Sequence, residues 1–233
     1  MDRLSYYLRS GALLAGLAVP LVASAQKAGS WVFTPYAGVY LPTTDVGRLS
    51  ATAGGSSASV AIRHDNALAL GATANYWFTE RMALELGGAY AFSHATGVVS
   101  ASGTGGAISA SGDEHAYVTL GTAKLMFALL EPSNGAQLRL GVGPAVIHRG
   151  GTAYQADSDG TSIAGRTDLG GALSLCTRLP IRGALSLRVR AEDYVYNARL
   201  GLRGGDGTSD VDFPRRFQND FLLSLGLQIG LSR

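Results

Sequence analysis

From Phe217 to Leu231 the chain alternates, with Phe217, Asn219, Phe221, Leu223, Leu225, Leu227, Ile229 and Leu231 on one parity and Gln218, Asp220, Leu222, Ser224, Gly226, Gln228 and Gly230 on the other. A period of two describes a strand with one greasy face and one small, polar face. The pattern returns in Met82–Phe92, in Leu138–Val146 and in Asp168–Cys176. It returns again in Leu185–Val195, where Leu185, Leu187, Val189, Ala191 and Val195 oppose Ser186, Arg188, Arg190, Glu192 and Tyr194, and only Asp193 interrupts the apolar row. Trp31–Leu41, Leu68–Phe78 and Tyr117–Phe127 bring the total to eight segments. Each is long enough to cross a bilayer as a tilted strand, which takes roughly 9–11 residues. In Tyr117–Phe127 the alternation is too weak to set a register.

Arg3 and Arg9 precede an apolar run, Gly11–Val22, that ends in the small-x-small sequence Ala23-Ser24-Ala25. This reads as a signal peptide over residues 1–25, leaving 26–233 as a single barrel domain. The run contains Pro20 and is too short for a membrane anchor, which needs about 20 apolar residues. Beyond it nothing approaches a spanning helix, so any membrane span is made of strands. The formal charge of +2 includes no basic arm suited to nucleic acid, and Cys176, the only cysteine, excludes an intramolecular disulfide.

The links between segments alternate in length. Thr79–Arg81, Glu131–Gly135 and Arg178–Gly183 are short, whereas residues 42–65, 95–114, 150–164 and 198–216 are long and rich in Gly, Ser, Ala, Thr and Asp. That is the signature of an up-and-down antiparallel barrel with turns at one end and loops at the other. A soluble barrel would point its greasy side chains inward. Two features favour the inverse, lipid-facing arrangement. The polar parity carries charges of both signs, Glu85, Arg139, Asp168, Arg188, Arg190, Glu192 and Asp220, which can pair within a narrow lumen. Aromatics gather at both ends: Trp31, Phe33, Tyr76, Trp77, Phe78 and Phe127 at the turns, and Tyr90, Phe92, Tyr117, Tyr194, Tyr196 and Phe217 at the loops.

With Trp31-Val-Phe-Thr-Pro-Tyr36-Ala-Gly38-Val-Tyr40, Glu192-Asp193-Tyr194-Val195-Tyr196 and the Phe221–Leu231 alternation, the stretch from Trp31 to Arg233 resembles the small eight-stranded outer-membrane β-barrel family of the OmpA barrel, OmpX and the opacity-type proteins. The resemblance implies an outer-membrane protein with both termini periplasmic and four extracellular loops. Its implied surroundings are outer-membrane lipid and lipopolysaccharide, with the outer-membrane insertion machinery as a partner during assembly and surface or host molecules meeting the loops.

Eight strands enclose a lumen filled by side chains, so the seven charged residues above are expected to form a structural ion-pair network, and a bulk pore is not expected. The implied role is non-enzymatic, structural or surface-interacting, with no cofactor. An OmpW-like channel for small solutes or hydrophobic compounds is the alternative, and a soluble exported ligand-binding barrel a third reading. Some barrels of this size are lipid A acyl enzymes carrying His-x-Ser on one strand face, but none of His64, His94, His115 or His148 has serine two residues on. These four histidines all fall at the loop rim of neighbouring strands and form a candidate Zn²⁺ or Ni²⁺ cluster. Asp157-Ser-Asp159-Gly160-Thr161 and Gly205–Asp210 imitate cation loops, but their spacing suits turns better.

Overall fold

The computed structural model describes residues 28–104, 106–130, 136–155, 162–163, 167–203 and 211–231. The signal-peptide assignment and the acidic stretches at 157–161 and 205–210 lie outside them. Eight strands close into an antiparallel ring: β1 (Trp31–Pro42), β4 (Ala67–Trp77), β5 (Met82–Gly103), β6 (Gly106–Leu130), β7 (Gln137–Gly150), β9 (Thr167–Arg182), β10 (Leu185–Ala198) and β13 (Arg216–Leu231). The first and last pair with each other from Trp31 opposite Leu231 to Pro42 opposite Asp220, so no edge remains in the ring.

The two faces have the inverted polarity of a membrane barrel. Leu68, Leu70, Leu86, Val142, Leu173, Val189, Leu223 and Leu225 are exposed on the outside, while Glu85, Lys124, Arg139, Arg149, Arg188 and Glu192 are buried inside. A girdle of Trp31, Phe33, Tyr76 and Phe78 rings the turn end, with Trp31 and Tyr76 in ring contact at 5.0 Å, and Tyr90, Phe92, Tyr117 and Phe217 ring the other. Three aromatics assigned to these girdles belong instead to the lumen. Trp77, Tyr194 and Tyr196 are at most 3% exposed, because their parity points inward.

Residues 95–104 and 106–114 depart from the loop expected over 95–114. They form no loose loop: β5 and β6 continue as a paired hairpin from Met82 opposite Phe127 to Gly103 opposite Gly106. The hairpin runs about ten residues, or roughly 30 Å, past the barrel wall. Inside the first long link, β2 (Gly47–Ala53) and β3 (Ser56–His64) form a second hairpin that docks on β5, from Ser57 opposite Ser102 to His64 opposite Ala95. A four-stranded sheet therefore stands on one side of the rim. Across the mouth, a 3-10 turn (Thr152–Tyr154) and the small sheet of β8 (Ser162–Ile163), β11 (Gly201–Arg203) and β12 (Val211–Asp212) fold over it.

Candidate functional site

The lumen is layered. At the turn end Val32, Trp77, Ala83, Met126 and Cys176 form a small apolar plug, and the Arg139 guanidinium lies 4.6 Å over the Trp77 ring. Arg139 Nε also donates to Gln137 at 3.1 Å. Above the plug sits an ionic layer centred on Glu85. Its carboxylate meets Arg188 at 2.6 Å, Lys124 at 3.1 Å and Arg190 at 3.4 Å, and accepts a 2.9 Å hydrogen bond from Asn75. Glu192 closes the layer by pairing with Lys124 and, at 3.3 Å, with Arg190. All five charged groups are at most 4% exposed, which is tolerable only because each carboxylate has several donors. The crevice at this level among Tyr36, Thr73, Arg188 and Ser224 has no room for a water molecule.

Local sequence explains how so much side chain fits. Tyr36 lies flat across Gly71, where a Cβ would stand 2.4 Å from the phenol ring, and its hydroxyl donates to the Gly88 carbonyl at 3.1 Å. The Arg190 guanidinium then stacks on the other side of the ring, 4.3 Å from its centroid. Gly143 leaves comparable room beside Lys124, since a Cβ there would meet the Ala123 carbonyl oxygen at 2.0 Å.

Above the ionic layer the lumen turns apolar. Val118, Leu120, Ile147 and Leu222 line it from the wall, and Val46, Ile62, Leu200 and Phe213 from the loops, all at most 5% exposed. A polar group is set into this apolar level. Arg149 pairs with Asp168 at 2.7 Å and lies 4.9 Å over the Tyr196 ring, while Tyr40 and Tyr196 both donate to Asp220. At the rim His64 bridges two elements, with Nδ1 3.3 Å from Ser93 and Nε2 2.6 Å from Tyr154. Ser93 gives its proton to the Asp65 and His94 carbonyls, so Nδ1 donates to Ser93 and Nε2 accepts from Tyr154. The ring is held neutral, and burial pushes its pKa down to about 3, with the Arg149 charge acting the same way. Burial pushes the Tyr154 hydroxyl up to about 12. Beside His64 a recess of about 300 Å³ opens at the rim between Pro42–Asp45 and Arg63–Asn66.

The seven charged residues read from the sequence are thus all inside, but they do not make one network. Glu85, Arg188, Arg190 and Glu192 meet; Asp168 is paired in the apolar level above them, Asp220 is held by tyrosines, and Arg139 stands at the turn end. Lys124, Arg149 and Asn75 were not anticipated. Lys124 lies on β6, where inward and outward residues are both apolar and polarity sets no register, whereas Arg149 continues the inward parity of Arg139 on β7 just past the Leu138–Val146 alternation. The four-histidine cluster does not form. His64 points inward, whereas His94 and His115 pair ring to ring at 4.6 Å and His148 contacts Tyr117, all on the outer face. Among the described residues no three metal-ligating side chains converge.

No protein-family model and no curated protein sequence matches the chain. Solved structures do. The outer membrane protein OprG from Pseudomonas aeruginosa superposes with a TM-score of 0.56 at 15% identity, over 89% of this chain and 99% of that one. The outer membrane protein AlkL, solved in lipid bilayers, gives 0.56 at 16% identity, over 92% and 96%. Sharing their fold nearly end to end, with leucines outside and paired charges within, this chain is a small outer-membrane β-barrel.

Proposed function

We propose that the barrel admits small apolar molecules from the outer face into its upper lumen, passes them sideways into the membrane, and conducts no ions along its axis. The observation that carries this reading is the division of the lumen into an apolar upper level and an ionic layer of paired charges below it. An apolar wall takes up an apolar solute, and a layer of paired charges with no space for water denies it an axial path. The recess of small-molecule size at the rim beside His64 is the entrance this reading takes. No step of this role is catalytic. The test is reconstitution: vesicles carrying the protein accumulate naphthalene faster than empty vesicles, while the same preparation stays silent in planar bilayers. An open-pore conductance, or no acceleration, overturns the reading.

A surface-interaction role is the second reading, favoured by the projecting sheet. All ten residues from Gly106 to His115 are exposed, as are those from Arg48 to Ala53. Replacing residues 97–112 by a two-residue turn removes the tip and leaves the barrel wall intact. Under this reading the shortened protein loses attachment to cell surfaces; under the first, naphthalene uptake is unchanged.

A further inference from the structure

Two lipid-facing rows are each broken once by a polar residue below the loop-end girdle, Asp193 in the apolar parity of β10 and Asn219 in that of β13. The structure brings the two breaks together. Asp193 stands opposite Phe221 and Val195 opposite Asn219, and Asn219 Nδ2 donates to Asp193 Oδ2 at 3.5 Å. Both side chains are half-buried. Among the described residues that long bond is all that either side chain has, since Oδ1 of each is covered and unpaired. Among the same residues Asp193 is the only Asp, Glu, Lys or Arg on the outer face between the two aromatic girdles. Its surroundings are hydrocarbon: Leu173 and Phe221 stand opposite it on the two neighbouring strands, and both are exposed. Asn197, opposite Phe217 of the loop-end girdle, lies four residues above it. That is about 13 Å along a strand and about 10 Å in depth at the tilt of such a barrel. The short aspartate side chain cannot snorkel over that distance to the headgroups, and acyl chains offer no donor.

We propose that the outer face of β10 and β13 around Asp193 and Asn219 is the interface through which two copies of this chain pair side by side in the membrane. The polar pair is complementary to itself, because the carboxyl group accepts and the carboxamide has a second N–H to give. Two copies with their loops on the same side of one membrane are related by a two-fold axis along the membrane normal, which sets residues of equal depth against each other. Asp193 of each copy then faces Asn219 of the other. Each carboxyl group gains a second amide donor at a depth where lipid supplies none. Ala191, Val195, Leu173 and Phe221 surround the pair with apolar side chains, which pack against a second barrel as readily as against acyl chains.

The experiment mixes donor-labelled and acceptor-labelled copies of the protein in phosphatidylcholine vesicles and follows energy transfer as lipid is added. Transfer is expected to persist on dilution in the wild type. Asp193→Leu and Asn219→Leu are each expected to raise the dimer dissociation constant at least about tenfold, the scale of two hydrogen bonds lost in lipid. Exchanging the two groups, Asp193→Asn with Asn219→Asp, keeps one acceptor and one donor and is expected to restore pairing. Leucine suits a lipid-facing position, so unheated gel migration of both leucine variants stays that of a folded barrel. A second readout fixes the place. Oxidation of Val195→Cys is expected to join two copies, while Leu86→Cys on β5, across the barrel, is expected not to, and Cys176, buried in the plug, takes no part in either. Transfer that falls with dilution as random mixing dictates, transfer unchanged by both leucine variants, or cross-linking at Leu86→Cys in place of Val195→Cys overturns the interface.

Discussion

Tyr36 shows how one residue sets the order of the lumen. Its ring needs the bare surface of Gly71 on one side and offers a face to Arg190 on the other, and Arg190 in turn reaches both Glu85 and Glu192. A methyl at Gly71 displaces the phenol and, through it, the guanidinium. Gly71→Ala is therefore expected to lower stability by about 1–3 kcal/mol, the scale of overpacking in a tight interior. Urea titration with the folded barrel followed by gel migration without heating measures it. Lys124 tests the same layer from the opposite wall. Its ammonium is the only group that joins Glu85 to Glu192 from β6, and it is fully buried. Lys124→Met keeps the volume and removes the charge, leaving the two carboxylates to share Arg188 and Arg190. The expected loss is about 3 kcal/mol or more, because breaking a buried pair strands its partner. A companion Lys124→Met, Glu192→Gln double variant recovers part of that loss if the cost lies in the stranded carboxylate, and none if it lies in shape.

At the scale of elements, the rim is held by a contact between segments far apart in sequence. His64 ends β3, Ser93 belongs to β5, and Tyr154 to the turn that follows β7. The imidazole ordinarily titrates near 6.5 and is pushed down to about 3 in the closed rim. Above pH 6.5 both closed and open forms carry a neutral ring, and the contact has its full strength. As pH falls below 6.5 only the open form takes up a proton, so closure weakens progressively until about pH 3. By pH 5 the loss reaches about 2 kcal/mol, at 1.36 kcal/mol per unit. Amide exchange, corrected for its intrinsic pH dependence, is expected to show β3 and Thr152–Tyr154 losing protection together between pH 7 and 5, and His64→Gln to abolish that dependence. Neither the contact nor the projecting hairpin was legible in the sequence, although the eight wall segments were. The wall was readable because leucine faces lipid opposite Gly, Ser and charge. In the Thr96–Ser111 stretch both parities are mostly small residues, Ala, Ser, Gly and Thr, with Val98, Val99 and Ile108 on no single parity, so a true strand shows no contrast and reads as a loop. In Val118–Met126 the contrast fails for the opposite reason. The inward Val118, Leu120 and Met126 are as apolar as the outward Leu125 and Phe127, and Lys124 alone marks the lumen.

For the whole molecule, the layered lumen sets two barriers in series. The ionic layer of Glu85, Lys124, Arg188, Arg190 and Glu192 lies above a plug of Val32, Trp77, Met126 and Cys176 with Arg139 stacked on the indole. Current through elements in series is set by the narrowest, and the two close by different physics. Charged side chains fill the first by mutual attraction, and an apolar constriction excludes water from the second. Removing two charges of each sign, as in Glu85→Ala with Arg188→Ala and Lys124→Ala with Glu192→Ala, opens the upper barrier and leaves Arg190, the fifth charge of the layer, on the Tyr36 ring. That variant is expected to remain silent in planar bilayers, because the Trp77 plug still stands below it. Trp77→Ala with Met126→Ala is expected to remain silent as well, held by the ionic layer above. Only the combination gives a continuous wet path, and with it a small, steady conductance. A conducting wild-type barrel, or current from either set alone, would show that one layer does not span the lumen, and the axial route denied to solutes would have to be reopened.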